Sequence, residues 1–96
     1  MPDIDAETVF ARNPEAAFRI VDGTALIVMP REAKMLTLNA VGTRVWDLLD
    51  GRTPAQIATA IAAEFEVDEA TALADAMAFL ATLRERGMVV EKRAAG

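Results

Sequence analysis

Four residue types are missing altogether from this 96-residue chain: cysteine, histidine, tyrosine and serine. Without cysteine there is no disulfide framework, no thiolate metal site and no thiol nucleophile. Without histidine the commonest general base and the commonest zinc ligand are gone. Carboxylates and lysines remain, but the acids fall at helix starts and on helix surfaces, where Asp68 and Glu69 read as ordinary partners of a helix dipole. The five glycines (Gly23, Gly42, Gly51, Gly87 and Gly96) are scattered, so no phosphate-cradling loop exists. The expectation is a protein that is not an enzyme and takes no metal, cofactor or nucleotide.

Basic residues are in the minority as well. Ten lysines and arginines against fifteen acids give a formal net charge of −5, the wrong sign for displacing counterions from nucleic-acid phosphates. No apolar run approaches the ~20 residues needed to cross a bilayer. The N-terminal MPDIDAETVF is acidic and lacks the basic and apolar regions of a signal peptide. These absences point to a soluble, cytoplasmic protein with neither nucleic acid nor membrane as its partner. What the chain does have is apolar content, 53% of residues, enough for a single domain that buries roughly 60–65% of its unfolded surface.

Residues 1–16 carry Pro2 and Pro14 without a sustained period and are expected to form a flexible lead-in, with Thr8 to Ala11 as an extended stretch within it. A folded domain is expected over 17–91, and 92–96 as a frayed tail. Ala17–Val21 alternates as a strand does, Asp22-Gly23 is a two-residue hairpin turn, and Thr24–Met29 is apolar on both faces, as in a central strand. Pro30 ends that strand, Arg31-Glu32-Ala33 turns the chain, and Lys34–Leu38 forms a third strand. Three helices follow. The first starts at the Asn39 cap, covers about Ala40–Leu49 and stops at Asp50-Gly51. The second opens with Thr53-Pro54-Ala55-Gln56, combining a threonine cap, a first-turn proline and a capping-box glutamine, and runs to about Phe65. The third runs from the Asp68 cap to about Arg86, with Gly87 closing it. The fold class is therefore α+β: a three-stranded antiparallel meander followed by a three-helix bundle, winged-helix-like.

In the third helix Leu73, Ala76, Met77, Phe79, Leu80 and Leu83 spread over roughly 160°, wider than the ~100° stripe of a helix packed on one neighbour. Such an arc fits a deeply buried helix, and equally one facing its sister helices on one side and the sheet or a groove on the other. Trp46, on an apolar helix face, reads as a core anchor between helix and sheet. Arg84, Arg86, Lys92 and Arg93 form a small basic cluster of helix-end charges. The same inventory of elements fits a winged-helix DNA-binding transcriptional regulator, the main alternative. Its reading helix would need arginine, lysine, asparagine or glutamine at base edges. The second helix offers only Gln56, and the third has no basic residue before Arg84.

The ordered set Leu38-Asn39, Gly42, Val45-Trp46, Leu48-Leu49-Asp50-Gly51, Thr53, Ile57, Ile61, Phe65 and Val67-Asp68 resembles the PqqD-like family. Asp75, Phe79-Leu80, Leu83 and Gly87 extend the resemblance, which spans about Phe18 to Val90. It implies three strands on three helices acting as a recognition element for ribosomally synthesised, post-translationally modified peptides (RiPPs). The leader of a precursor peptide would add as a strand along the third strand, beside the third helix, and be presented to a modifying enzyme such as a radical SAM protein. Members of the pyrroloquinoline quinone pathway carry a YPEG turn and a glycine-tryptophan after the last helix. Here those places read Met29-Pro30-Arg31-Glu32 and Gly87-Met88, so the pathway could be quinone biosynthesis or another peptide cluster.

The resemblance and the meander together mark the binding site. The outer ladder of Lys34, Met35, Leu36, Thr37 and Leu38 has no partner within a meander, which suits strand addition. Ala76, Phe79 and Leu83 lie at one limit of the helical arc and are expected to line the adjoining groove, with Ala76 leaving room for a guest side chain. Arg31 and Lys34 would steer an acidic leader. Monomer and homodimer remain equally open.

Overall fold

A computed structural model describes residues 8–92, in the order β1 (Val9–Arg12), β2 (Ala17–Val21), β3 (Thr24–Met29), β4 (Lys34–Thr37), α1 (Ala40–Asp47), α2 (Pro54–Phe65), α3 (Glu69–Glu85) and β5 (Val89–Lys92). β2, β3 and β4 form the antiparallel meander, and β1 pairs with β5 in a separate two-stranded sheet. The Asp22-Gly23 turn has positive φ at both residues, 53° and 81°, the mirror-image geometry whose twist matches the flanking strands. Pro30–Glu32 makes one 3-10 turn where a turn was expected. The register sets Ile27 against both Phe18 and Leu36, so alternate residues of each strand share one face.

All three helix starts follow from their caps. Asn39 accepts the Gly42 N–H at 2.7 Å and Asp68 accepts that of Thr71 at 3.0 Å. At α2, Thr53 and Gln56 exchange side-chain-to-backbone bonds in both directions, completing the capping box. α1 stops two residues earlier than its apolar pattern suggests, because Asp50 forms a bridge to Ala11 and draws Leu48 and Leu49 out of the helical path. Both leucines are buried nonetheless.

The expectation of a flexible lead-in over 1–16 is corrected for its second half. Val9–Arg12 pairs along its whole length with Val89–Lys92, and Phe10 is 1% exposed, one of the larger core side chains. Asn13 fastens the junction, its side chain donating to the Gly87 carbonyl at 2.8 Å and its N–H to that of Met88 at 2.9 Å. Lys92, expected at the start of a frayed tail, is the last residue of β5. Residues 1–7 of the lead-in and 93–96 of the tail lie outside the described residues.

A single core joins the two sheets to the helices. It gathers Phe10, Ala25, Ile27, Met29, Leu38, Trp46, Ile57, Leu80, Leu83 and Met88, among others. Trp46 is 1% exposed, in the anchoring place expected of it. α1 is tied to the sheet by the Thr43 hydroxyl, which accepts the Ala25 N–H at 2.8 Å.

Candidate peptide-binding edge and groove

Among the described residues β4 is an edge strand with β3 as its one neighbour, so half of its backbone groups point away from the sheet. One bond decides which half. The Leu38 N–H donates to the Ala25 carbonyl at 2.8 Å, and backbone direction alternates along an antiparallel strand. Lys34, Leu36 and Leu38 therefore turn their N–H and C=O groups inward, while Met35 and Thr37 present theirs at the free edge. The side chains alternate independently of this. Leu38 is buried and Leu36 half-buried on the core face, whereas Met35 is 63% exposed on the opposite face.

Beyond the C-terminal end of β4 the chain turns at Asn39 into α1, and here a pocket of about 350 Å³ opens between α1 and α3. Asn39, Val41, Gly42, Asp75, Ala76 and Phe79 contribute to its walls. Gly42 makes the close approach of α1 to α3 possible. A β-carbon there would stand 3.2 Å from both the Phe79 ring and the Asn39 Oδ1, tighter than ordinary contact, and 3.4 Å from Leu38. Phe79 is held against Gly42 at the junction of strand, helix and pocket.

The expected groove residues thus separate into two groups. Ala76 and Phe79 line the pocket. Leu83, one turn further along α3, is 0% exposed and is not among the lining residues, because that side of the apolar arc is spent on the core. Val41 and Asp75 also line the pocket and were not singled out for it in the sequence, although Asp75 belongs to the set that carries the family resemblance. Arg31 and Lys34 sit at the other end of β4. Their ion pairs, with Glu15 at 3.8 Å and Glu32 at 3.7 Å, are long and exposed, and such pairs hold little free energy. No group of three or more potential metal-ligating side chains occurs among the described residues.

Known proteins share this architecture. TbiB1, solved in complex with the TbiA(beta) leader peptide, superposes with a TM-score of 0.79 at 27% identity, over 88% of this chain and 99% of that one. A lasso peptide synthetase B1, complexed with its leader peptide, gives 0.76 at 29% identity, over 84% and 96%. The PqqD truncation of Methylobacterium extorquens PqqCD, a stand-alone RiPP recognition element, shares the fold with a TM-score of 0.77 at 22% identity, over 91% and 94%. No curated protein matches the sequence. Residues 25–89 match the family of coenzyme PQQ synthesis protein D, a stretch that covers more than half of the chain, and the chain belongs to the PqqD family.

Proposed function

We propose that this protein is a leader-peptide adaptor: it captures the leader of a ribosomally made precursor by strand addition to β4 and presents it to a modifying enzyme. The PqqD family is one of recognition elements that are generally non-catalytic. The observation that carries the reading is the pairing of a free ladder with a pocket. Met35 and Thr37 offer outward N–H and C=O groups to a guest strand, and just past the end of β4 Asn39 lines a pocket with Val41, Ala76 and Phe79. Backbone bonds along the ladder would supply affinity, and the pocket would fix the register. Two structures of similar fold, at 27% and 29% identity, are leader-peptide complexes, which supports the same use here.

The roles of the site residues follow from their positions. Met35 and Thr37 pair with the guest backbone, Leu36 and Leu38 hold the strand to the core, and Phe79 and Ala76 receive an apolar side chain. Arg31 and Lys34 steer acidic leaders. Leu83 acts from beneath, by supporting α3. The partner enzyme is one that acts on a peptide held in this way, with a radical SAM protein as one candidate class, and the compartment is the cytoplasm. A DNA-binding role finds no support in the helices, since α2 carries no lysine or arginine from Pro54 to Phe65.

Calorimetric titration with the leader of the precursor encoded beside it tests the proposal. Saturable one-to-one binding that weakens in Phe79→Ala is the expected result. Unchanged affinity in a folded Phe79→Ala variant would place the site elsewhere.

A further inference from the structure

The sheet has a second free edge, and the leader reading makes no use of it. Among the described residues β2 pairs only with β3, and every one of its five residues is exposed. Because Ala25, Ile27 and Met29 direct their backbones at β4, Thr24, Leu26 and Val28 direct theirs at β2. Their partners Val21, Arg19 and Ala17 accordingly bond inward, which leaves the N–H and C=O groups of Phe18 and Ile20 at the free edge. The side chains of these two residues, 45% and 52% exposed, lie over a groove of about 350 Å³ walled by Thr43, Arg44 and Trp46 of α1 and by Phe65. Apart from Arg19 this edge strand is apolar and has no proline, and its exposed ladder is open to pairing with another chain.

The charges beside this edge are basic. Arg19 forms no ion pair among the described residues. The Arg12 guanidinium donates to the Trp46 carbonyl at 2.8 and 3.1 Å and stands 5.2 Å from the Phe18 ring centre, again with no carboxylate. The acid that lines the groove, Asp47, is held by Arg44 at 2.6 Å. Two arginines with no ion pair among the described residues, Arg19 within the strand and Arg12 beside it, therefore lie at this edge in a protein whose net charge is −5. A strand laid along β2 would turn alternate side chains into the groove beside Phe18 and Ile20, and the intervening ones to the opposite face, beside Arg19. A second copy of the chain in the symmetric register that pairs Phe18 with Ile20 would set Arg19 against Arg19 of the second copy, whereas carboxylates of a partner segment would meet Arg19 favourably.

We infer that the β2 edge is a second docking site, for an extended segment of a partner protein in which apolar residues alternate with carboxylates. It lies about 10 Å across the sheet from the β4 edge, at two strand spacings, so both edges can be occupied at once. The peptide-modifying enzyme is the partner that would gain from this arrangement, since one small sheet would then hold enzyme and leader together.

The probe is a synthetic ten-residue peptide alternating valine with glutamate, and its control carries lysine in place of glutamate. Nitrogen–proton NMR spectra of the full chain are followed during titration. Saturable shifts at the Phe18 and Ile20 amides, with Met35 and Thr37 unmoved, are expected for the glutamate peptide alone. Arg19→Glu should reverse the preference between the two peptides, each affinity changing about ten-fold. Ile20→Pro, which removes an outward donor and no bond to β3, should abolish the shifts while the remaining spectrum stays that of the folded protein. Shifts at Met35 and Thr37 instead, equal responses to both peptides, or concentration-dependent changes at Phe18 and Ile20 without any peptide would each overturn the inference. The last of these would assign the edge to a second copy. None of these outcomes depends on whether a leader binds β4.

Discussion

The Phe79 ring lies 3.2 Å from the point where Gly42 would carry a β-carbon, so the wall of the α1–α3 pocket is packed directly onto a bare stretch of helix. Two opposing effects follow for Gly42→Ala. Alanine favours the helix by up to ~1 kcal/mol over glycine, while the added methyl pushes Phe79 by a few tenths of an ångström. The expected outcome is stability within about 1 kcal/mol of the parent together with weaker leader binding, because the displaced ring narrows the pocket. Paired denaturation and calorimetry check this; a variant that loses stability and keeps affinity would mean that the ring does not shape the site. Phe79→Ala should in turn lower affinity by roughly 1–3 kcal/mol.

Trp46 separates packing from polarity. Its side chain is buried, its indole Nε1 has no hydrogen-bond partner among the described residues, and the Phe18 ring meets it edge-on at 5.7 Å between centroids. Trp46→Ala should cost about 3–5 kcal/mol through the cavity it leaves. Trp46→Phe removes a buried donor that makes no bond and keeps much of the volume, so it should cost less than half as much. Urea unfolding of the two variants measures the contrast, and near-equal losses would show that the indole N–H is paired in solution.

Much of this fold is written in short local signals. The Thr53-Pro54-Gln56 capping box starts α2 at the residue that the sequence indicates, and Asp22-Gly23 sets the hairpin. An extended stretch near Thr8–Ala11 was legible, but the pairing of β1 was not, because only Phe10 of its four residues is buried and its partners lie at the far end of the chain, with Phe10 opposite Glu91. No local period carries that information. Which residues line the α1–α3 pocket was half legible for a related reason. The wide apolar arc of α3 is real, but which of its limits faces solvent is decided by tertiary packing, and packing leaves Phe79 accessible while sealing Leu83 in the core.

Arg44 and Glu64 join α1 to α2 at 2.8 Å. The hydrogen bond from Arg44 holds the Glu64 carboxyl below its ordinary value of 4.5, and the same bond raises the guanidinium above its own. A carboxyl whose folded value is depressed stabilises the fold at pH above its unfolded value and loses that contribution as pH falls through the folded one. Glu64→Gln should therefore be slightly less stable than the parent at neutral pH, and the gap should close on acidification below 4.5. Melting temperatures recorded across this range test the sign. A gap that widened in acid would contradict the pairing.

The polarity of β4 yields the sharpest test of the leader site. Thr37 and Leu36 are adjacent, yet their N–H groups point in opposite directions, that of Thr37 to the free edge and that of Leu36 toward Ile27 of β3. Proline is tolerated on an edge strand where the missing N–H faced outward, and is disruptive where it faced the ladder. Thr37→Pro should leave the unfolding midpoint nearly unchanged while removing one donor to the guest strand and crowding its approach, for a loss of about ten-fold or more in leader affinity. Leu36→Pro should lose stability first, by breaking the bond to β3, and any loss of binding should follow from that. Stability and affinity measured on both variants separate the two cases. A Thr37→Pro protein that is folded and binds the leader as tightly as the parent would show that the guest does not pair along β4.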